Sequence, residues 1–215
     1  MEENKAIPSY SPSLKIASTF VSYLFHPLFV GVMMAAYLIF LHPTYFQALD
    51  AKSRMMKLLV VINNNVFFPL LVVALLRALG FSQSVLLKTQ KERIVPYIAS
   101  ITFFFWTYYV FRNQPEVPRV LVNMCRGMFF ATATALVLNN YFKISMHGIA
   151  VGGMLGMMLV VMVLGELPSI FHVVAAGLIT IVVAFARKIV SDHQWFDILA
   201  GIVLGLATQL LALWF

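Results

Sequence analysis

The sequence predicts an all-α, polytopic transmembrane helix bundle with six or seven spans. Hydrophobic residues make up 61% of the 215 and charged residues only 11%, too little charge to clothe a water-facing surface. Mean hydropathy is +0.90. The apolar residues fall into seven runs, and at about 20 residues per span the chain accommodates them only with short loops. No repeat, low-complexity tract or long linker divides it, so residues 1–215 read as a single integral membrane domain.

The formal charge of +7 does not point to nucleic acid, because the cations stand singly between apolar runs rather than in an arm or patch. Membrane lipids and an anionic substrate are the better partners. Cys125 lies alone in an apolar run and says nothing about redox compartment. The polar stretch from Met1 to Pro12 and the long run after it do not read as a cleavable signal peptide.

In chain order, the first run spans about Ile16 to Leu41, with a kink expected at His26-Pro27. His26 is a polar group inside the membrane and is a site candidate on that ground, with a packed core histidine as the plainer reading. A cationic loop with Lys52, Arg54 and Lys57 leads to a second run, Leu58 to Leu79, whose Asn63-Asn64-Asn65 suits interhelical hydrogen bonding. The third, Ile94 to Phe111, carries aromatics suited to an interfacial belt. The fourth, Val120 to Phe142, contains Arg126, expected as an interface anchor. In the fifth, Ile149 to Leu164, the glycines Gly148, Gly152 and Gly156 recur every four residues and match Gly201 and Gly205 of the seventh, Phe196 to Phe215. The sixth extends from Ser169 to Ala186 after a Glu166-Leu167-Pro168 turn, with His172 at the end far from Arg187.

Three polar islands interrupt these runs: Lys88 to Pro96, Lys143 to Gly148, and Arg187 to Asp197. Two runs separate each island from the next, so all three share one membrane face if every run spans. Their residue types suit phosphoryl transfer, which needs fixed positive charge, an in-line nucleophile and a proton for the departing alkoxide. Arg187 and Lys88, with Arg93 or Lys91, would supply charge. His193 and Asp197 lie one helical turn apart, so the carboxylate can orient one ring nitrogen and leave the other to attack. His147 would protonate the leaving group. Ser145 and the backbone N–H groups at the start of its helix, Gly148 included, would add neutral donors. Taken singly, each of these groups has a structural alternative: a helix cap for Ser145, a C-terminal cation for Arg187, a structural hydrogen bond for His193 with Asp197.

The islands resemble the three motifs of the type 2 phosphatidic acid phosphatase superfamily, K-x6-R-P, P-S-G-H and S-R-x5-H-x3-D. Arg187, His193 and Asp197 match the third in type and spacing, with Ala186 for its Ser. Ser145-Met146-His147 follows the second, with Ile144 for Pro and Met146 for Gly. Lys88 and Pro96 keep the first, but Val95 stands where Arg belongs, and Arg93 is the candidate replacement. The resemblance covers about residues 88–215. It implies a six-span core, a phosphohistidine formed on His193, Asp197 as its orienting partner and His147 as general acid. It further implies phosphate binding by Lys88, Ser145 and Arg187, with no metal or cofactor. The substrates it implies are isoprenoid diphosphate, phosphatidate, phosphatidylglycerol phosphate or a glycolipid phosphate, in a bacterial cytoplasmic membrane. A catalytically weak lipid-phosphate-binding or transport protein on the same scaffold is the alternative.

Overall fold

The computed structural model describes residues 10–81, 89–164 and 170–214. Lys88 and the Glu166-Leu167-Pro168 turn lie outside them. The described residues form helices joined by short connections, the all-α bundle that the composition implies. Five stretches are long and apolar enough to cross a membrane: Ala51–Ala78, Gln90–Arg112, Arg119–Leu138, Met146–Val163 and Phe171–Val190. Outward faces carry large apolar side chains, such as Leu178, Ile181 and Phe185 on one helix, an arrangement that suits lipid and not water. The chain is a multi-pass membrane protein.

The first apolar run divides into α1 (Pro12–Leu24) and α2 (Pro27–Ala36), which bend by 55° where the kink was expected. Pro27 has no N–H and disfavours helix at the preceding residue, and His26 Nδ1 accepts the N–H of Leu28 as the new N-cap. Counted as one span, the bent pair is the sixth. The seventh run gives only a 17-residue helix, α9 (Trp195–Leu211), about 25 Å long at 1.5 Å per residue.

The second run starts earlier than its hydropathy suggests. Asp50 caps α3 (Ala51–Ile62), so Lys52, Arg54 and Lys57 ride on the helix instead of forming a loop before it. Lys57 bonds to Gln114 and Glu116 in the connection over residues 113–118, placing that end of α3 on the face opposite the islands. A π-helical turn over Asn63–Phe67 precedes α4 (Phe68–Ala78). Pro69 cannot donate to a carbonyl four residues back, and the widened turn absorbs that break. The turn buries Asn64 and Asn65 and leaves Asn63 exposed.

A Thr89–Glu92 capping box opens α5 (Gln90–Arg112). Asn139, just past α6 (Arg119–Leu138), exchanges two hydrogen bonds with Gln90, Nδ2 to Gln90 O at 2.9 Å and Gln90 Nε2 to Asn139 O at 2.6 Å. That pair brings the first island beside the second. Arg126, half-buried, bonds to Asn123 and lies 5.5 Å from the Tyr108 ring centroid. Of the aromatics expected to suit a belt, Trp106 and Tyr109 are exposed and Tyr108 is buried.

Helix α7 (Met146–Val163) and α9 run parallel and in direct contact, and α8 (Phe171–Val190) returns the chain to the end where α7 begins. Their seam is made of the glycines named above. A Cβ on Gly152 would stand 2.1 Å from Ile202 O, and one on Gly205 would stand 2.0 Å from Ile149 O. Only bare backbone allows that approach.

Candidate functional site

The parallel α7–α9 seam sets two helix N-termini side by side, and the end of α8 beside them. Ser145 N donates to Asp197 O at 3.1 Å, linking the second and third islands directly. Lys143 bonds to Asp192 across the same gap. Arg93, buried on α5, donates from Nη1 to Ile144 O at 3.2 Å and joins the first island to the second. All three islands therefore meet at one end of the bundle, as parity requires. His172 sits at the other end, its ring 5.6 Å from that of Tyr37.

Within the first island, side-chain direction decides which residue can act. Val95 is 44% exposed and points outward, while Arg93 is 7% exposed and points in. Lys91 is exposed. Arg187 occupies the last turn of α8, a position that suits a cation, and its Nε has no hydrogen-bond partner among the described residues. Arg93 and Arg187 are near enough to repel each other. The two guanidiniums share this end of the bundle with the Asp192 carboxylate, which attracts both.

His193 lies in the short α8–α9 connection and is buried. Burial first, and then Arg93 and Arg187, push its imidazole down to about 4 against the partial pull of Asp197 and Asp192. At neutral pH the ring is uncharged, with a lone pair available. Its Nδ1 is 3.6 Å from Asp197 Oδ2, beyond hydrogen-bond length, and that carboxylate oxygen instead accepts the N–H of Gln194 at 2.8 Å. Asp197 thus caps α9 and faces His193 at the same time. Asp192 is held below the usual carboxylate range by its bond to Lys143.

Because the unfolded chain titrates His193 near 6.5 and the folded chain near 4, acidification protonates the unfolded state first. Stability attached to this residue is therefore whole above about pH 6.5 and is lost progressively down to about pH 4. Thermal unfolding in detergent across that window is expected to show the loss, and a His193→Asn variant is expected to show a smaller one.

His147 Nε2 is 3.0 Å from Ser22 O. A carbonyl only accepts, so Nε2 carries a proton and Nδ1 is left to exchange one. Ser145 is fully buried and caps α7, its Oγ accepting the N–H of Gly148 at 3.2 Å. Gly148 was expected among the phosphate donors, but its N–H is already committed, and its Cα faces Ile198 O of α9. It serves the helix seam instead.

Two residues at this site lie outside the region that resembles a phosphatase core. Ser22 anchors His147, and His26 sets its ring edge-on to His147 with centroids 5.5 Å apart. The signal for the first was legible: Ser18 and Ser22 form the buried stripe of α1, while Ile16, Phe20 and Tyr23 face outward. A helix with polar residues inward and apolar residues outward is arranged for a membrane-embedded polar centre.

Compared with protein-family models, curated proteins and solved structures, the chain matches none.

Proposed function

We propose that the chain is a membrane lipid phosphatase that hydrolyses a lipid phosphomonoester or diphosphate through a phosphohistidine intermediate, in a bacterial cytoplasmic membrane. The observation that carries this reading is the pairing of two converging guanidiniums, Arg93 and Arg187, with a neutral, buried His193 beside a carboxylate. The arginines bind the phosphate oxygens and stabilise charge in the transition state. The His193 nitrogen turned away from Asp197 attacks phosphorus, and the bond from phosphorus to the leaving oxygen, that of the lipid alcohol in a monoester or of the remaining phosphate in a diphosphate, breaks as His147, entering doubly protonated, delivers its Nδ1 proton to that oxygen. Water then attacks the phosphoimidazole, the P–N bond breaks and returns the neutral His193 ring, and His147 Nδ1 takes the water's proton as inorganic phosphate leaves. Asp197, 3.6 Å from Nδ1, offsets the positive charge that the ring acquires.

Phosphate release by the purified chain from isoprenoid diphosphate, phosphatidate, phosphatidylglycerol phosphate and a glycolipid phosphate tests the reading, with a chelator arm for metal dependence. Arg93→Ala is expected to lower turnover by about 10²- to 10³-fold, as removal of a transition-state donor does. Val95→Ala is expected to leave it unchanged, because that side chain points outward. Equal rates in both variants would remove Arg93 from the site.

One observation favours a second reading. His193 Nδ1 has no hydrogen-bond partner among the described residues, which leaves the ring less firmly oriented than a hydrogen-bonded imidazole. A lipid-phosphate-binding or transport protein needs the arginines but not that orientation. Binding of lipid phosphate without turnover by the unaltered chain would select it.

A further inference from the structure

An ion pair at the rim of the site joins two loops. Lys143, in the connection before α7, bonds to Asp192, in the connection between α8 and α9. Both loops are tied down beside the pair. Next to Lys143, Ile144 O accepts Arg93 Nη1 at 3.2 Å and Ser145 N donates to Asp197 O at 3.1 Å. On the two sides of Asp192, Ser191 Oγ donates to Arg187 O and Lys188 Nζ donates to His193 O at 3.3 Å. The backbone is therefore fixed, and it is the two side chains that can change partners.

The pair is lopsided. The Lys143 side chain is 22% exposed and that of Asp192 73% exposed, so the cation is drawn into the site and the carboxylate stands at its mouth. Asp192 also attracts Arg93 and Arg187, which puts it within reach of three cations at once. The neighbouring carboxylates are engaged elsewhere: Asp197 caps α9, and Glu92 accepts Thr89 N and Oγ1, each at 3.0 Å, in the α5 capping box. So exposed an ion pair adds little stability, because solvent screens it. What it does is place one negative charge where a phosphoryl group would bring about two.

We propose that Lys143 is a third phosphate-binding cation and that Asp192 is its placeholder: the carboxylate holds the ammonium beside the two guanidiniums until the phosphoryl group of the substrate displaces it. The proposal rests on the phosphatase reading for the identity of the anion. A phosphate oxygen is the stronger partner, because the group carries more charge and accepts from guanidiniums as forked pairs. The displaced carboxylate turns to water, as its exposure already allows. Lys143 is thereby kept aimed into the site in the free chain.

The two ends of the pair then act on binding in opposite directions, which a purely structural strap does not produce. The probe is dodecyl phosphonate, which is not hydrolysed, with its Kd measured by titration calorimetry of the purified chain in detergent. Asp192→Asn is expected to lower the Kd by about two- to fivefold, the range of an exposed ion pair. Lys143→Gln is expected to raise it by about tenfold, and Lys143→Arg to restore most of that loss. In the double variant the gain from Asp192→Asn is expected to shrink, because the placeholder has no ammonium to release. In turnover the same order is expected in KM, with kcat moved less. Weaker binding by both single variants would show a strap and overturn the proposal. An unchanged Kd in Asp192→Asn would overturn it as well, and so would a full gain in the double variant, since Asp192 would then act without Lys143. Should Lys143→Gln fail to fold, the sign of the Asp192→Asn shift decides. Phosphonate shifts of the expected sign without turnover of any lipid phosphate named above would defeat the phosphatase reading alone.

Discussion

His193→Ala is expected to abolish phosphate release from every lipid phosphate tested, by at least about 10³-fold, with the fold retained. Loss of a nucleophile removes the chemical path and not just an increment of binding, so kcat falls while affinity for lipid phosphate persists. The arginines that bind the anion stay in place, since Arg93 is held by Ile144 O and Arg187 by its place in α8. The unaltered chain, quenched during turnover, is expected to carry an acid-labile, alkali-stable phosphoryl group that His193→Ala lacks. Turnover at the unaltered rate in that variant would sink the mechanism. The neutral imidazole matters here: a ring with its pKa near 4 attacks across the physiological range without prior deprotonation.

Gly205→Ala is expected to lower thermal stability in detergent more than any other single methyl insertion in α9, by about 3 kcal/mol or more. The new Cβ would lie 2.0 Å from Ile149 O and 2.6 Å from Gly153 N. Both are backbone atoms and cannot rotate away, so the two helices must separate. Separation also strains the Ser145–Asp197 bond at the head of the seam, and activity is expected to fall with stability. Gly177→Ala on α8 is the control. Nothing lies within 4 Å of its Cβ position, and Ala is the better helix former by up to about 1 kcal/mol. Equal melting temperatures for the Gly205 variant and the control would refute the close-packed seam.

The glycine seam shows how far pattern alone reaches. Small residues every four positions on two runs, at Gly148, Gly152 and Gly156 and at Gly201 and Gly205, announce a contact because helical geometry puts each set on one face. The same arithmetic, applied to whole runs, places the three islands on one face. Arg93 was legible only as a candidate. Its advantage over Val95 lies in a rotation about the helix axis that the Thr89 cap and the Asn139–Gln90 pair determine together. His26 was legible as a candidate and Ser22 as part of a polar stripe, but their meeting with His147 was not, because it depends on where Pro27 redirects a bent pair of helices far away in sequence.

By itself, then, the sequence determined the class of fold, the pairing of α7 with α9 and the gathering of charged residues at one end. These follow from composition and helical period, which are local properties. Only the tertiary structure decided that Arg93 faces inward, that the N–H of Gly148 is already used, and that Asp197 serves as a cap while facing His193. Each of these depends on the relative rotation and depth of helices distant in sequence, and no local pattern encodes the angle at which two such helices meet.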